Sequence, residues 1–398
     1  MSPRYPQGLR EIILYWIHSE SLTSFFWIYG SAGAGKTAIL QAIAELLCSP
    51  SEPDENFGGS FFISRGKKGR DEGHFLFSTI AYQLALKVPG LRQHVNHIMK
   101  LDPTLHTKSM DVQLRTLIID AFRHLSPLPH RPYLVIIDGF DECLDKATQQ
   151  LILQFLCETI TFHKLPLRFL IGSRPEVHIR DSFDQESLYT VARRVILDEK
   201  FNPGRDIEAF LRDGFAKICA KNSILSHVEH PWPEEGIINL FVQRSSGQFI
   251  YSTTVLKFVG ADFCSPTKQL ALVLKPDPTA FSDLDQLYTQ ILSVYPKAVN
   301  IVQVLGIISV SRWELAEAME DIFGMEEGEL KLVLRGLSSL MEDEDDGNSG
   351  DVIPGFAHAS FGDYLFDSSR SGPFHVNRQE YENQLTIRSF ALIIQLIR

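Results

Sequence analysis

Phe25-Phe26-Trp27-Ile28-Tyr29-Gly30-Ser31-Ala32-Gly33-Ala34-Gly35-Lys36-Thr37 is the stretch on which the reading of this chain turns. Five apolar and aromatic residues predict a buried strand, and the eight that follow match G-x-x-x-x-G-K-[ST]. Beyond them, Ile39, Ile43 and Leu47 recur at helical spacing, so the glycine-rich loop joins a strand to a helix. Phosphate binding needs that placement. Glycines let backbone N–H groups turn inward around phosphate oxygens, and the helix N-terminus presents a positive end. Gly30, Gly33, Ala34 and Gly35 are therefore candidate phosphate contacts. Lys36 adds a mobile charge for the β- and γ-phosphates of ATP, and the Thr37 hydroxyl suits Mg2+.

Such a loop requires an acid at the end of another buried strand. Tyr133-Leu134-Val135-Ile136-Ile137-Asp138 supplies one, with Asp138 expected to reach Mg2+ through water. Gly139-Phe140-Asp141-Glu142 then adds two carboxylates, either of which can polarise an attacking water. Asp138, Asp141 and Glu142 are the catalytic candidates, with Glu142 preferred as base and Asp141 as base or its supporting partner. The same Asp-Glu pair also reads as a helix N-cap with a first-turn acid. A further strand ends in Gly172-Ser173-Arg174-Pro175. Ser173 and Arg174 are candidate sensors of whether ATP or ADP is bound.

Outward from these motifs, strands are expected at 25–29, 60–63, 133–137, 168–171 and 194–197, with helical patterns between them. That alternation predicts an α/β domain over residues 1–200: a P-loop NTPase fold with a parallel five-stranded sheet and helices on both faces. After Asn202-Pro203-Gly204 the strand signals stop. Helical patterns at 206–218, 236–242 and 249–259 predict a small helical domain over 201–264. Helices at 284–294, 297–308, 313–323 and 329–340, then the acidic run Glu342–Asp346 and the apolar stretch Val352–Ala357, predict a winged-helix domain over 279–372. Residues 373–398 begin a further helical segment, whose apolar face from Leu385 to Ile397 would need a continuation or a docking partner to cover it.

The 398 residues allow two or three domains, and 44% hydrophobic with 22% charged residues excludes a disordered or fibrous chain. Lys and Arg number 38 against 49 Asp and Glu, and a net charge of −11 opposes nucleic acid as a partner. With Asp351 the acidic loop carries six negative charges, so the net charge says little else about partners. No apolar run reaches the length of a membrane span, and Met1–Pro6 lacks the features of a signal peptide. The five cysteines form no C-x-x-C pair, which fits buried thiols in a reducing cytosol and no zinc site. A cytoplasmic protein without a membrane partner is expected. Arg65, Lys67, Lys68 and Arg70 make a basic cluster, expected as a solvated loop, with an arginine finger for a neighbouring subunit as the alternative.

Three segments together, Gly30–Thr37, Ile136–Glu142 and Gly172–Pro175, resemble a NACHT domain, the signal-transduction ATPase (STAND) class that includes NLR receptors and fungal incompatibility-type proteins. Phe61-Phe-Ile-Ser-Arg65 and Thr79-Ile-Ala-Tyr-Gln-Leu84 are similar to the fungal branch. Ser245–Tyr251 is similar to the segment that packs against the base in this family, which implicates Gly247 and Phe249, residues that read equally as a helix start and a core aromatic. Phe356–Leu365 resembles the family's winged-helix motif, and its His358 is implied to contact the β-phosphate of ADP; a buried structural histidine is the alternative. The resemblance implies an ATP/ADP switch with Mg2+, slow hydrolysis, self-association, and effector or sensor partners. A non-catalytic ADP-binding scaffold is the competing expectation. Family members usually carry flanking effector and sensor domains, so the 398 residues are expected to be either a minimal form or a fragment of a longer receptor.

Overall fold

The computed structural model describes residues 7–51, 53–63, 73–143, 145–197, 203–222, 225, 227–228, 231–261, 264–275, 282–294, 301–310, 316–342 and 353–397. The basic cluster at 65–70 and the acidic residues 343–351 lie outside them. The chain forms two compact units, Met1–Phe201 and Asn202–Arg398.

Five strands build the first unit: β1 Phe25–Tyr29, β2 Phe57–Phe62, β3 Tyr133–Asp138, β4 Leu167–Ser173 and β5 Ala192–Ile196. They pair in parallel in the order β2-β3-β4-β1-β5. Successive side chains of a strand point to opposite faces, and here both faces are covered. Phe25, Trp27, Val135, Ile137, Phe169 and Ile171 enter one core. Phe26, Ile28, Leu134, Ile136 and Leu170 enter the other. Helices α1 Gln7–His18 and α2 Lys36–Leu47 cover the second face, burying Leu9, Ile13 and Trp16 with Ile39, Ile43 and Leu47. On the first face lie α3 Leu76–Lys87, α4 Leu91–Leu101, the helical stretch 110–123, and the helices Lys146–Thr161 and Val177–Asp184. Continuous apolar runs in the strands are the mark of this two-sided burial.

Strand β2 begins at Phe57, three residues before the expected Ser60. Gly58 and Gly59 weaken the strand signal in the sequence, yet the Leu84 and Gln83 side chains need the space those glycines leave. Gln83 covers this sheet edge directly. Its Nε2 donates to the Ser60 carbonyl and its Oε1 accepts the Ser60 N–H, each at 2.8 Å. One amide thus stands in for a neighbouring strand, which protects the edge from pairing with another chain.

Arg168 on β4 ties α1 to the sheet. Its guanidinium donates to the carbonyls of Trp16, Ile17, Ser19 and Ser21 at 2.6–3.1 Å and lies 5.4 Å from the centre of the Trp16 ring. Those carbonyls lie at and just beyond the C-terminus of α1, where no intrahelical donor remains. Burial lowers the pKa of the guanidinium.

A single apolar core runs through the second unit from Ile207 to Val376. Its longer helices are Pro203–Lys221, Glu235–Ser245, Phe249–Val259, Pro266–Val273, Asp283–Leu292, Ile301–Val310, Ala316–Phe323, Glu329–Gly336, Ala359–Leu365 and Arg378–Ile397. The helix expected to reach Leu340 stops at Gly336. The Glu320 carboxylate caps its start, accepting the N–H groups of Gly328 at 2.9 Å and Leu330 at 2.8 Å. Met341 then bridges Phe356 in antiparallel fashion, flanked by bonds from Glu342 N to Gly355 O and Ala357 N to Leu340 O. Asp285 and Arg370 pair through two bonds of 2.7 and 3.1 Å, with the carboxylate buried. Along the Arg378–Ile397 helix, Tyr381 and Leu385 pack on the core, while Ile387, Phe390 and Ile394 are exposed. Among the described residues no helix is long and apolar enough to cross a membrane, and the five cysteines are free thiols.

Candidate functional site

The loops leaving β1, β3 and β4 converge at the C-terminal edge of the sheet, the side on which open α/β sheets bind ligands. Because β4 lies between β1 and β3, Ser173-Arg174 sits between the glycine-rich loop and the acidic turn. Gly35, at φ 90°, takes the left-handed conformation that turns the loop into α2. Lys36 opens that helix. Its ammonium is buried and folds back over the loop, donating to Gly30 O at 2.9 Å and Ser31 O at 2.8 Å. Burial lowers its pKa, against the opposing pull of Asp141 and Asp138.

Asp138 ends β3 and is 2% exposed. Burial pushes its pKa up to about 6, opposed by a hydrogen bond from the Thr37 hydroxyl, the Gly139 N–H and the charge of Lys36. Its Oδ1 is buried without a hydrogen-bond partner. A carboxylate with an open acceptor beside a surface hydroxyl is the sparse, hard oxygen set that Mg2+ takes when water and phosphate supply its other ligands. Thr37 and Asp138 therefore fit that ion. No group of three or more His, Cys, Asp or Glu among the described residues forms an all-protein metal cage.

Two glycines make this arrangement possible. Gly139 turns the chain after β3 at φ 66°, where a Cβ would strike the Ile63 carbonyl. Gly172 has the more particular role: a Cβ there would lie 2.5 Å from Asp138 Oδ1. Nothing in the local sequence announces that contact, since it joins residues on neighbouring strands.

Asp141 and Glu142 lie in a single 3-10 turn, Phe140–Glu142, and have different surroundings. Both oxygens of Asp141 are held by Arg174: Oδ1 accepts its backbone N–H at 2.8 Å, and Oδ2 pairs with its Nε at 3.2 Å. Glu142 is half-buried. The N-cap of the following helix Lys146–Thr161 is Asp145, which accepts from Thr148 N at 2.8 Å. The alternative reading of the Asp-Glu pair as that cap is thereby set aside. Ser173 is fully buried, and its hydroxyl accepts from Trp27 Nε1 and donates to Arg174 O, each at 2.9 Å. The hydroxyl is spent on holding the strand end, so Ser173 positions Arg174.

His358 belongs to the second unit, where it caps the Ala359–Leu365 helix. Its Nδ1 accepts the Ser360 N–H at 3.1 Å and lies 2.6 Å from Ser360 Oγ, which in turn lies 2.8 Å from the buried Tyr288 hydroxyl. An Nδ1 that accepts a backbone N–H leaves the proton of the neutral ring on Nε2. Gly247 has φ 78°, and Phe249 opens the Phe249–Val259 helix, packing edge-on against Phe210.

The raised pKa of Asp138 sets a pH dependence. A carboxylate whose folded value exceeds its unfolded value adds stability at low pH, and that contribution is lost as pH rises through about 6. Asp138→Asn is therefore expected to stabilise the nucleotide-free protein at pH 7.5, by up to about 3 kcal/mol, with little gain at pH 4. Mg2+ binding should behave oppositely, weakening below pH 6 as the proton competes. Thermal melts with and without Mg-ADP at both ends of this range check it. An unchanged or lowered melting temperature for the variant at pH 7.5 would sink the assignment.

A glycine-rich loop with its lysine on a helix N-terminus, an acid ending a parallel strand two places away and a polar strand end between them define a P-loop NTPase fold. A family model described as "Nephrocystin 3, N-terminal" matches residues 10–174 of this chain. Similar solved structures include Cdc6p from Pyrobaculum aerophilum, at 12% identity and TM-score 0.38 over 96% of this chain and 92% of that one. The ORC2 protein of Aeropyrum pernix in ADPNP-ADP complexes is 12% identical, with TM-score 0.38 over 98% and 94%. Drosophila ORC bound to DNA is 10% identical, with TM-score 0.41 over 84% and 81%. No curated protein matches the sequence.

Proposed function

We propose that this chain is a NACHT-type module, an ATP/ADP-operated switch that controls self-assembly or signalling and resets by slow Mg2+-dependent hydrolysis. The observation that carries the reading is the joint placement of Lys36, Asp138, Asp141 and Arg174, whose charges act on one another at one edge of the sheet. Gly30, Gly33, Ala34 and Gly35 would wrap the phosphates, Lys36 would leave its two loop carbonyls for phosphate oxygens, and Thr37 with Asp138 would hold Mg2+. Asp141 is occupied by Arg174. We take Glu142, the acid that the sequence reading prefers, as the base for the attacking water, with Asp141 setting the position of the sensor arginine.

In this reading residues 201–264 form the small helical domain, 279–372 the winged-helix domain, and 373–398 begin a further helical segment. The antiparallel contact between Met341 and Phe356, after a series of helices, supports a wing. His358 is the residue that the family resemblance implies for the β-phosphate of ADP, and a contact made in only one arrangement would bias the switch. Effector and sensor partners would belong to the wider assembly.

Glu142→Gln is expected to lower ATP turnover by roughly 10²- to 10⁴-fold while leaving ADP affinity within about threefold. Asp141→Asn should weaken the grip on Arg174 and reduce turnover less. Turnover in Glu142→Gln equal to the wild type would remove Glu142 from the mechanism. Tightly held ADP with no measurable turnover in the wild type would instead favour a non-catalytic ADP-binding scaffold.

A further inference from the structure

Gln149, 3% exposed on the Lys146–Thr161 helix, spends its side chain on the turn that carries Glu142. Its Nε2 donates to the main-chain oxygens of Asp141 at 3.2 Å and Cys143 at 2.7 Å. These are the residues immediately before and after Glu142. Two carbonyls can only accept, so the nitrogen end of the amide faces the turn and Oε1 faces outward. His178 Nε2 lies 2.5 Å from that Oε1. An acceptor at this distance obliges His178 Nε2 to carry a proton. His178 stands in the first turn of the Val177–Asp184 helix, four residues beyond Arg174. The segment 174–178 therefore grips the acidic turn twice: through Arg174 on the Asp141 carboxylate, and through His178 and Gln149 on the backbone either side of Glu142.

We propose that Gln149 and His178 are positioning residues for hydrolysis: His178 orients the Gln149 amide, and the amide holds the Glu142 backbone so that its carboxylate meets the water attacking the γ-phosphate. The proposal rests on Glu142 being the base. If His178 lost its donor, the two carbonyls would still hold the nitrogen end of the amide, but its oxygen would lose the anchor that fixes the amide in place. The turn carrying Glu142 would be held less firmly, while the phosphate loop, which shares none of these bonds, would stay as it is.

A merely structural Gln149 would cost stability and nucleotide affinity together, whereas a positioning residue costs turnover at constant affinity. Gln149→Leu is expected to lower kcat by roughly 30- to 100-fold, the scale of an ångström of misplacement, with the Kd for ADP changed by less than about threefold. His178→Phe keeps the ring and removes the donor, with an expected loss of about tenfold. His178→Gln restores a donor and should recover most of that loss. Because His178 is only half-buried, this pair decides the matter even if Gln149→Leu does not fold. Unchanged kcat in His178→Phe, or a fall in kcat matched by the loss of ADP affinity, overturns the proposal. Glu142→Gln measured alongside separates the two levels: if it turns over normally, the base assignment fails and this proposal with it. If it is inactive while His178→Phe is normal, only the positioning role fails.

Discussion

Lys36→Ala is expected to lose bound nucleotide almost entirely, with an affinity loss of about 10² to 10⁴, while the protein stays folded. The ammonium is buried, and its two hydrogen bonds go to the carbonyls of Gly30 and Ser31. Those carbonyls hold the charge at the mouth of the loop until phosphate oxygens take it. Charge-assisted hydrogen bonds contribute about 1.5–3 kcal/mol each, so losing two of them to phosphate accounts for the range given. The folded protein loses the same two bonds but is relieved of a desolvated charge, the chief cause of the lowered Lys36 pKa. The two largely offset, and the melting temperature without nucleotide should move little. Calorimetric titration with ADP, together with analysis of nucleotide carried through purification, tests this. Wild-type ADP affinity in the variant would remove the loop from nucleotide binding.

Arg168→Ala should produce the largest loss of stability, about 3–5 kcal/mol, with no direct contact to the site. The carbonyls of Ile17, Ser19 and Ser21 would lose the guanidinium donor at once in a part-buried region, and Trp16 O would keep only the Ser19 hydroxyl. Each unsatisfied buried group costs about 1–3 kcal/mol, reduced where water can enter the space vacated. Arg168→Lys should recover less than half, because an ammonium cannot present a planar fork to four acceptors. Denaturant unfolding measures the difference. A midpoint within experimental error of the wild type would show that α1 is held by its apolar face alone. Early proteolysis between Ser19 and Ser24 in Arg168→Ala would show the expected release of α1.

The same residue shows how far a sequence can be read. Arg168 looks like an ordinary charge at the start of a strand, and its function depends on carbonyls some 150 positions earlier. The edge-covering Gln83 and the Asp138–Gly172 contact were hidden in the same way. The bounds of helices α1, α3 and α4 are likewise visible only in the tertiary structure. Strand β1, by contrast, has the expected bounds, and β3 extends one residue further to take in Asp138. Continuous apolar runs between turn residues leave little room for another reading.

Local pattern was enough to predict the parallel sheet and to single out the loop at Gly30–Thr37 and the acids at 138, 141 and 142, because each depends on residues adjacent in the chain. Tertiary structure alone distinguished the two acids of one turn: Arg174 takes Asp141, while Gln149 holds the backbone around Glu142. It also made Ser173 a strut and gave Asp138 its raised pKa. The physical reason is the same throughout. Strand and loop propensities act over a few residues, whereas burial and hydrogen-bond partners are set by elements that meet only after the sheet has formed in the order β2-β3-β4-β1-β5.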